Sequence, residues 1–152
     1  MINILDYKPE YRQYFEEYNM EWIQKYFTIE PTDQYVLENP EEAILMKGGT
    51  ILFAEYNGSI IGAVALMKIS DDIVELTKMA VGKEWRGLGA GRLICTSAIR
   101  EAKNMKFHKI ILYSNTRLER AIDLYRKLGF HELPLEEGIY QRANIKMGME
   151  LI

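Results

Sequence analysis

Hydrophobic residues in the N-terminal part of the chain recur at helical spacing. An amphipathic helix is predicted from about Glu10 to Lys25, because aromatic side chains fall on one of its faces. A short strand, Ile2–Leu5, precedes this helix, and a second short helix is expected over Pro31–Asn39 with Thr32 or Asp33 as its N-cap. We expect the aromatic face to pack mainly against a sheet.

The period changes to that of β-strands from Thr50 onwards. Two runs rich in β-forming residues, Ile51–Tyr56 and Ile60–Ile69, flank the dipeptide Asn57-Gly58. This dipeptide favours a type I′ turn, since both central residues of that turn need a positive φ. A third run, Ile73–Val81, completes an antiparallel meander, which indicates a mixed α+β fold and excludes a doubly wound one.

The C-terminal half returns to helices that alternate with strands. A helix is predicted over Ala90–Asn104, a buried strand over Lys109–Tyr113, and a further helix from Leu118 to its terminator Gly129. A chain of 152 residues with 48% apolar side chains is large enough for one domain, so residues 1–152 are expected to form a single unit. Two late strands are expected near Phe130–Leu135 and Ala143–Leu151.

Charge and composition narrow the classes of function. The formal net charge is -3, and basic residues are scattered among acidic ones, which argues against a nucleic-acid partner. No apolar run approaches the length of a membrane span, so we expect a cytoplasmic protein without a membrane partner. The one cysteine, Cys95, is expected in the core, and His108 and His131 are isolated, so no metal site is predicted.

A glycine-rich turn, Gly82–Gly91, lies between the third strand of the meander and the following helix. Glycines allow positive φ and close approach of a ligand, and a helix start offers free N–H groups, so the turn predicts an anion site. Leu88 and Gly89 stand where a Walker A loop needs Lys and Ser or Thr. Arg92 replaces the third glycine of a dinucleotide fingerprint, which excludes the Rossmann alternative as well.

The remaining pattern, R-x-x-G-x-G at Arg86–Gly91, resembles the pyrophosphate loop of the GCN5-related N-acetyltransferases (GNAT family). The segment Leu124–Phe130, preceded by Arg120–Ile122, is similar to the late helix of that family, with its A-x-x-x-Y-x-K-x-G-F ending. The resemblance implies a GNAT-type α+β domain with a mixed, mostly antiparallel sheet flanked by helices. It also implies acetyl-CoA as cosubstrate and direct transfer of the acetyl group to a primary amine within a ternary complex.

The resemblance assigns residues to the cosubstrate. Main-chain atoms of the strand before the turn would hold the pantetheine arm and the thioester carbonyl. Many members of the family have an Asn where this chain has Leu118, so the amide that contacts the same arm is assigned to Asn115, just upstream; the alternative is that no side chain makes this contact. The turn would bind the pyrophosphate, with help from the cations Arg86 and Arg92. The expected cosubstrate residues are Met79, Ala80, Val81, Arg86, Gly87, Leu88, Gly89, Ala90, Gly91, Arg92 and Asn115.

The resemblance also implies two catalytic residues. Glu75 would remove a proton from the amine, directly or through a water; the alternative is an ion pair with Lys78 on the surface of the strand. Tyr125 would protonate the departing thiolate, since a tyrosine keeps its proton at neutral pH. The alternative for Tyr125 is a core position, because it lies in the apolar stripe of its helix.

The acceptor is expected to be an amine of a small molecule or a peptide. Trp22 and Tyr26 are candidates for its pocket, as are Arg142 and Asn144 at the entry to a late strand. The alternatives are core packing for the aromatic residues and edge-strand charges for the polar ones.

Two other functions are compatible with the same glycine-rich turn. One is a sensor or interaction module that binds acetyl-CoA without catalysis, and the other is an enzyme that uses a longer acyl-CoA. The fold also suggests a homodimer that forms through the late strands.

Overall fold

The protein folds around one mixed sheet with helices on both faces. The computed structural model describes residues 1–151, which contain seven strands and five α-helices. The strands are β1 (Ile2–Asp6), β2 (Thr50–Tyr56), β3 (Ser59–Lys68), β4 (Ile73–Val81), β5 (Lys109–Ser114), β6 (His131–Leu133) and β7 (Ile145–Glu150). The helices are α1 (Arg12–Tyr26), α2 (Pro31–Glu38), α3 (Pro40–Ala43), α4 (Ala90–Asn104) and α5 (Glu119–Leu128).

The strand order is β1-β2-β3-β4-β5-β7-β6. Neighbouring strands are antiparallel except β4 and β5, which run parallel because α4 connects them as a crossover. The α+β class with a mostly antiparallel sheet is thereby confirmed. None of the helices in residues 1–151 is long and apolar enough to cross a membrane.

The hairpin between β2 and β3 has the predicted turn. Asn57 and Gly58 have φ angles of 50° and 84°, as the two central residues of a type I′ turn require. The turn sets the register in which Tyr56 pairs with Ser59. The local sequence was therefore sufficient to predict this hairpin.

Each face of the sheet buries a separate hydrophobic core. Helices α4 and α5 cover one face, where Ile94, Ala98 and Tyr125 pack against residues of the strands. Helices α1, α2 and α3 cover the other face, where Phe15 and Ile23 of α1 are fully buried. The aromatic stripe of α1 therefore contributes to a core, as its spacing predicts.

A β-bulge interrupts β4 and changes which way its side chains point. Lys78 and Met79 lie together opposite Val64, and Lys78 has a φ of 53°, in the left-handed region that non-glycine residues rarely adopt. Val74 and Leu76 before the bulge share a core with Met79 after it. The alternation thus shifts from even to odd positions, and Lys78 points to the α1 and α2 side of the sheet.

The N-cap of α2 and the bounds of the two late strands differ from the predictions. Glu30, and not Thr32 or Asp33, is the N-cap of α2; Asp33 lies at the N3 position, where its carboxylate accepts the N–H of Glu30 at 3.0 Å. The late strands β6 and β7 are shorter than expected, because residues 134–144 form a loop that folds against other elements instead of extending the sheet.

Candidate active site

The two parallel strands separate after a short contact and open a cleft between them. Strand β4 pairs with β5 only where Ile73–Glu75 meets Lys109–Ile111. Beyond this point, the backbone edge of residues 76–81 that faces β5 lies along the cleft, and no strand within residues 1–151 pairs with it. An exposed strand edge of this kind offers N–H and C=O groups to an extended ligand.

The cleft has a volume of about 470 Å³. Its walls come from the separated ends of β4 and β5, the end of α1, the beginning of α5 and the loop between β6 and β7. It thereby brings together residues that lie far apart in the sequence. The predicted site residues in its lining are Trp22, Tyr26, Met79, Ala80, Val81, Arg86, Asn115, Tyr125 and Arg142.

The glycine-rich turn lies at one end of the cleft. Gly87 and Gly89 have φ angles of 88° and 83°, which side chains would strain, and Arg86 lines the cleft. Within residues 1–151, the backbone N–H groups of residues 86–92 have no backbone acceptor. Ala90 is buried and anchors the start of α4 in the core, so these donors have a fixed position.

Tyr125 is a core residue that also lines the cleft. Its ring is buried in the core and contacts Phe130 edge-on, at 5.7 Å between centroids, because Gly129 ends α5 and turns the chain back. Its hydroxyl makes no hydrogen bond within residues 1–151, and the residue lines the cleft. Burial, with a smaller contribution from Cys95, raises the pKa of Tyr125 well above its usual value of 10.0, so the phenol keeps its proton.

Cys95 is a core residue. It is fully buried, and its Sγ lies 3.2 Å from the Sδ of Met79. Burial raises the pKa of the Cys95 thiol to about 12, so the reactive thiolate is not formed near neutral pH. Across residues 1–151, we find no group of three or more His, Cys, Asp or Glu side chains that could hold a metal ion.

A buried ionic cluster lies behind the cleft and is centred on Asp33 of α2. One carboxylate oxygen, Oδ1, accepts from Lys78 Nζ at 2.9 Å and from Arg142 Nη2 at 2.8 Å; the other, Oδ2, accepts from Arg142 Nη1 at 2.5 Å. The same Nη1 contacts Glu30 at 3.0 Å. Burial opposes ionisation of Asp33, but the bonds from Arg142 and the charge of Lys78 lower its pKa to about 2.

The cluster changes the roles expected for Lys78 and Arg142. The alternative prediction, a surface ion pair between Glu75 and Lys78, is wrong, because Lys78 is buried and pairs with Asp33. Burial lowers the pKa of Lys78, and the contact with Asp33 opposes this fall. Arg142 lines the cleft, but its guanidinium already has two carboxylate partners.

Glu75 lies one layer behind the wall of the cleft. Its side chain is 4% exposed, and its Oε2 accepts a hydrogen bond from the hydroxyl of Tyr140 at 2.9 Å. Tyr140 lines the cleft, whereas Glu75 does not. Burial raises the pKa of Glu75, although the bond from Tyr140 and the charge of Lys78 oppose the rise.

The two asparagines predicted for the site hold loops in place. Asn115 lines the cleft, donates to the carbonyl of Arg142 at 2.8 Å and accepts the N–H of Arg117 at 2.9 Å. Asn144 lies outside the lining of the cleft, and its side chain makes two hydrogen bonds to Thr116. The structure thus brings Asn115 into the cleft and leaves Asn144 beside it.

Trp22 is tied to the strand bulge through a buried asparagine. Its Nε1 donates to Oδ1 of Asn19 at 3.1 Å, and Nδ2 of Asn19 donates to the carbonyl of Lys78 at 3.0 Å. Asn19 is fully buried, so these bonds satisfy a side chain that would otherwise be costly. They also stabilise the left-handed backbone at Lys78.

The sequence analysis did not find Asn19, Asp33 or Tyr140 as site residues. Lys78 gave a usable signal, because a charged residue within a strand of β-forming residues needs a partner when it is buried. No signal in the sequence marks Tyr140 as a site residue, since it lies in a loop whose path is set by contacts with Glu30.

The opening between two parallel strands lies beside a helix start whose N–H groups have no backbone acceptor within residues 1–151, as the resemblance of the glycine-rich turn implies. The sequence model of the acetyltransferase (GNAT) family matches residues 10–130. The chain therefore belongs to the acetyltransferase (GNAT) family, which confirms the class of enzyme predicted from the glycine turn and the late helix.

Individual proteins agree with this assignment. The uncharacterised N-acetyltransferase YjgM of Escherichia coli K12 is 27% identical over 141 residues, which cover 91% of this chain and 82% of that protein. A GNAT-family acetyltransferase from Staphylococcus aureus Mu50 has a TM-score of 0.87 at 26% identity, with all of both chains covered. A GNAT-family acetyltransferase from Elizabethkingia anophelis, solved with acetyl-CoA bound, has a TM-score of 0.68 at 22% identity over 98% of this chain and 97% of that one.

Proposed function

We propose that this protein transfers an acetyl group from acetyl-CoA to a primary amine, by direct attack of the amine within a ternary complex. The observation that carries the proposal is the opening between β4 and β5, which has free N–H groups at one end and a protonated tyrosine in its wall. One end suits the donor phosphates, and the opposite walls leave room for an acceptor.

The proposed binding of acetyl-CoA rests mainly on backbone groups of the cleft. The N–H groups of residues 86–92 and the guanidinium of Arg86 would bind the pyrophosphate, because unpaired donors at a helix start favour anions. The pantetheine arm would lie along the unpartnered edge of residues 76–81 as an added strand. Backbone N–H groups near Met79 would then be available to polarise the thioester carbonyl.

The chemical step needs a proton donor and a proton acceptor. Tyr125 would protonate the thiolate of CoA, since its hydroxyl is free and its raised pKa keeps the proton on it until the sulfur leaves. Glu75 would receive the proton of the incoming ammonium, because a buried carboxylate with a raised pKa is a more effective base near neutral pH. Buried Cys95 has no part in this scheme.

The acceptor is proposed to be an amine of a small molecule or a peptide. Trp22 and Tyr26 would contact its non-reacting part, since both line the cleft at the end of α1. Arg142 would act mainly by holding the wall, because its charge is already paired. The cytoplasmic location and the homodimer stay predictions.

Thiol release tests this proposal. Purified protein is incubated with acetyl-CoA and a panel of polyamines, amino acids, aminoglycosides and peptides, and free thiol is measured against time. We expect saturable release with at least one amine, and slower release when longer acyl-CoAs replace acetyl-CoA. Binding of acetyl-CoA without thiol release in the presence of any amine would instead indicate a sensor. Faster thiol release from a longer acyl-CoA would identify that acyl-CoA, and not acetyl-CoA, as the donor.

A matched pair of variants tests the donor site. Arg86→Ala is expected to weaken acetyl-CoA binding about tenfold, since it removes a charge-assisted bond to phosphate. Lys83→Ala is the control, because Lys83 is an exposed cation of the same turn that lies outside the cleft. Isothermal titration calorimetry measures both, and equal affinities for the two variants would contradict this placement of the pyrophosphate.

A further inference from the structure

Tyr140 separates the carboxylate of Glu75 from the cleft. The phenol oxygen of Tyr140 is 2.9 Å from Oε2 of Glu75, and only Tyr140 of the two lines the cleft. A substrate amine in the cleft would therefore meet the hydroxyl of Tyr140 before it could reach Glu75. The hydroxyl has two lone pairs, so it can accept one proton while it donates another.

The ring of Tyr140 is held in one orientation by its neighbours. The Nζ of Lys78 and the Cζ of Arg142 lie 5.0 and 5.1 Å from the ring centroid, and the ring of Tyr113 contacts it edge-on at 5.7 Å. Such cation–π and aromatic contacts fix both the position and the tilt of a ring.

The backbone that carries Tyr140 is also fixed. The N–H groups of Gln141 and Arg142 donate to the carboxylate of Glu30 at 3.0 and 3.3 Å, which attaches the loop to the start of α2. The phenol oxygen consequently has a defined position between Glu75 and the cleft, as proton transfer requires.

On the basis of the proposed function, we propose that Tyr140 is a catalytic residue that relays the proton of the substrate ammonium to Glu75. One N–H bond of the ammonium breaks as an O–H bond forms on Tyr140, and the original phenol proton moves to Oε2 of Glu75. The neutral amine then attacks the thioester carbon, and the C–S bond breaks. Tyr125 gives its proton to the thiolate, and the second proton lost by the nitrogen then restores the phenol of Tyr125. Glu75 releases the first proton to solvent.

The electrostatics favour a relay over a stable phenolate. Burial, with the nearby Glu75 carboxylate, raises the pKa of Tyr140 far above its usual value, so the oxygen does not remain as phenolate and takes up one proton as it gives the other to Glu75. The charged or titratable groups that face the pair are Lys78 of β4, Arg142 of the loop and Tyr113 of β5. Both cations are paired with Asp33, which leaves Glu75 as the acceptor beside Tyr140.

Tyr140→Phe and Glu75→Gln, alone and together, test the relay with an amine chosen from the panel. Each single variant is expected to lower kcat by roughly 10²-fold, the usual contribution of a positioned base, with KM for acetyl-CoA unchanged. The double variant should be no slower than either single one, because the two residues act as one unit. The deficit of Tyr140→Phe should shrink as pH rises and the amine loses its proton in solution.

Tyr7→Phe is the matched control, because Tyr7 also donates to a glutamate, Glu41, but lies outside the cleft. Its turnover should equal that of the wild type. If Tyr140→Phe keeps the wild-type rate while Glu75→Gln does not, Glu75 acts without the tyrosine and the relay is overturned. Additive losses in the double variant would overturn it as well.

A second measurement does not depend on turnover. Infrared titration of the Glu75 carboxyl, identified by its absence in Glu75→Gln, should show a higher pKa in Tyr140→Phe, since a donor to the charged form is lost. An unchanged pKa would overturn the relay alone. Failure of the wild type to release thiol from any amine would overturn the proposed function, and the relay with it, even if this titration shifts.

Discussion

At the scale of single residues, Tyr125 and Tyr140 differ in the hydrogen bonding of their hydroxyl groups, and the proposed roles of the two residues follow from this difference. Both residues line one cleft, Tyr125 buried and Tyr140 half-buried, and desolvation raises the pKa of both. The hydroxyl of Tyr140 already donates to Glu75, whereas that of Tyr125 makes no hydrogen bond within residues 1–151. This difference is why the proposal assigns the proton donor to Tyr125 and the relay to Tyr140.

Tyr125→Phe is expected to lower kcat on the order of 10²-fold while the Kd for acetyl-CoA stays near that of the wild type, because only the hydroxyl is removed. Stability should be unaffected, since the ring keeps its contact with Phe130. Tyr56→Phe is the control, as Tyr56 belongs to the same core but lies outside the cleft. Steady-state kinetics and calorimetry check the pair, and unchanged turnover in Tyr125→Phe would contradict the assigned role.

At the scale of elements, Asp33 joins three parts of the fold that the chain visits far apart. It connects α2 to the bulge of β4 through Lys78 and to the loop before β7 through Arg142. The loop that carries Tyr140 is thus attached to the same cluster that receives the bulged residue. The geometry of the cleft depends on this one carboxylate.

Asp33→Asn is expected to lower the free energy of unfolding by about 3–5 kcal/mol at neutral pH, because it leaves the buried ammonium of Lys78 without a charged partner and Arg142 with Glu30 alone. Asp71→Asn is the control, since Asp71 is 94% exposed in its pair with Lys68 and should cost less than about 1 kcal/mol. Urea denaturation measures both variants. Equal losses would show that the cluster does not stabilise the fold.

The elements also show which predictions a sequence supports. Helix α4 and the β2–β3 hairpin agree with prediction, because a periodic stripe and a glycine turn are local signals. The bulge at Lys78 was missed, since nothing local marks a lysine for positive φ. It exists because Asn19 and Asp33 bind the backbone and side chain of Lys78 from other elements.

At the scale of the whole molecule, Asp33 makes stability depend on acidity. The pKa of Asp33 is about 2 in the folded protein and 3.8 in the unfolded chain. The contribution of this carboxylate to the free energy of unfolding is therefore complete above pH 4 and is lost as the pH falls towards 2. The loss should be about 2 kcal/mol, from about 1.4 kcal/mol for each pKa unit.

Urea denaturation between pH 5 and pH 2 checks this dependence. We expect the difference in stability between the wild type and Asp33→Asn to narrow by about 2 kcal/mol across this range, because the variant has no carboxyl to protonate. A constant difference would mean that the carboxylate keeps its ordinary pKa in the folded protein.

The sequence by itself determined most of the elements, the glycine turn, the helix that carries Tyr125, and the family. Those features rest on local signals: periodicity, residues that accept positive φ, and short motifs. The tertiary structure alone decided that Glu75 lies behind Tyr140 and that Asp33 binds partners 45 and 109 positions away. The reason is physical: periodicity fixes the face on which a side chain lies, whereas sheet register, a bulge and the path of a loop fix its distant partner.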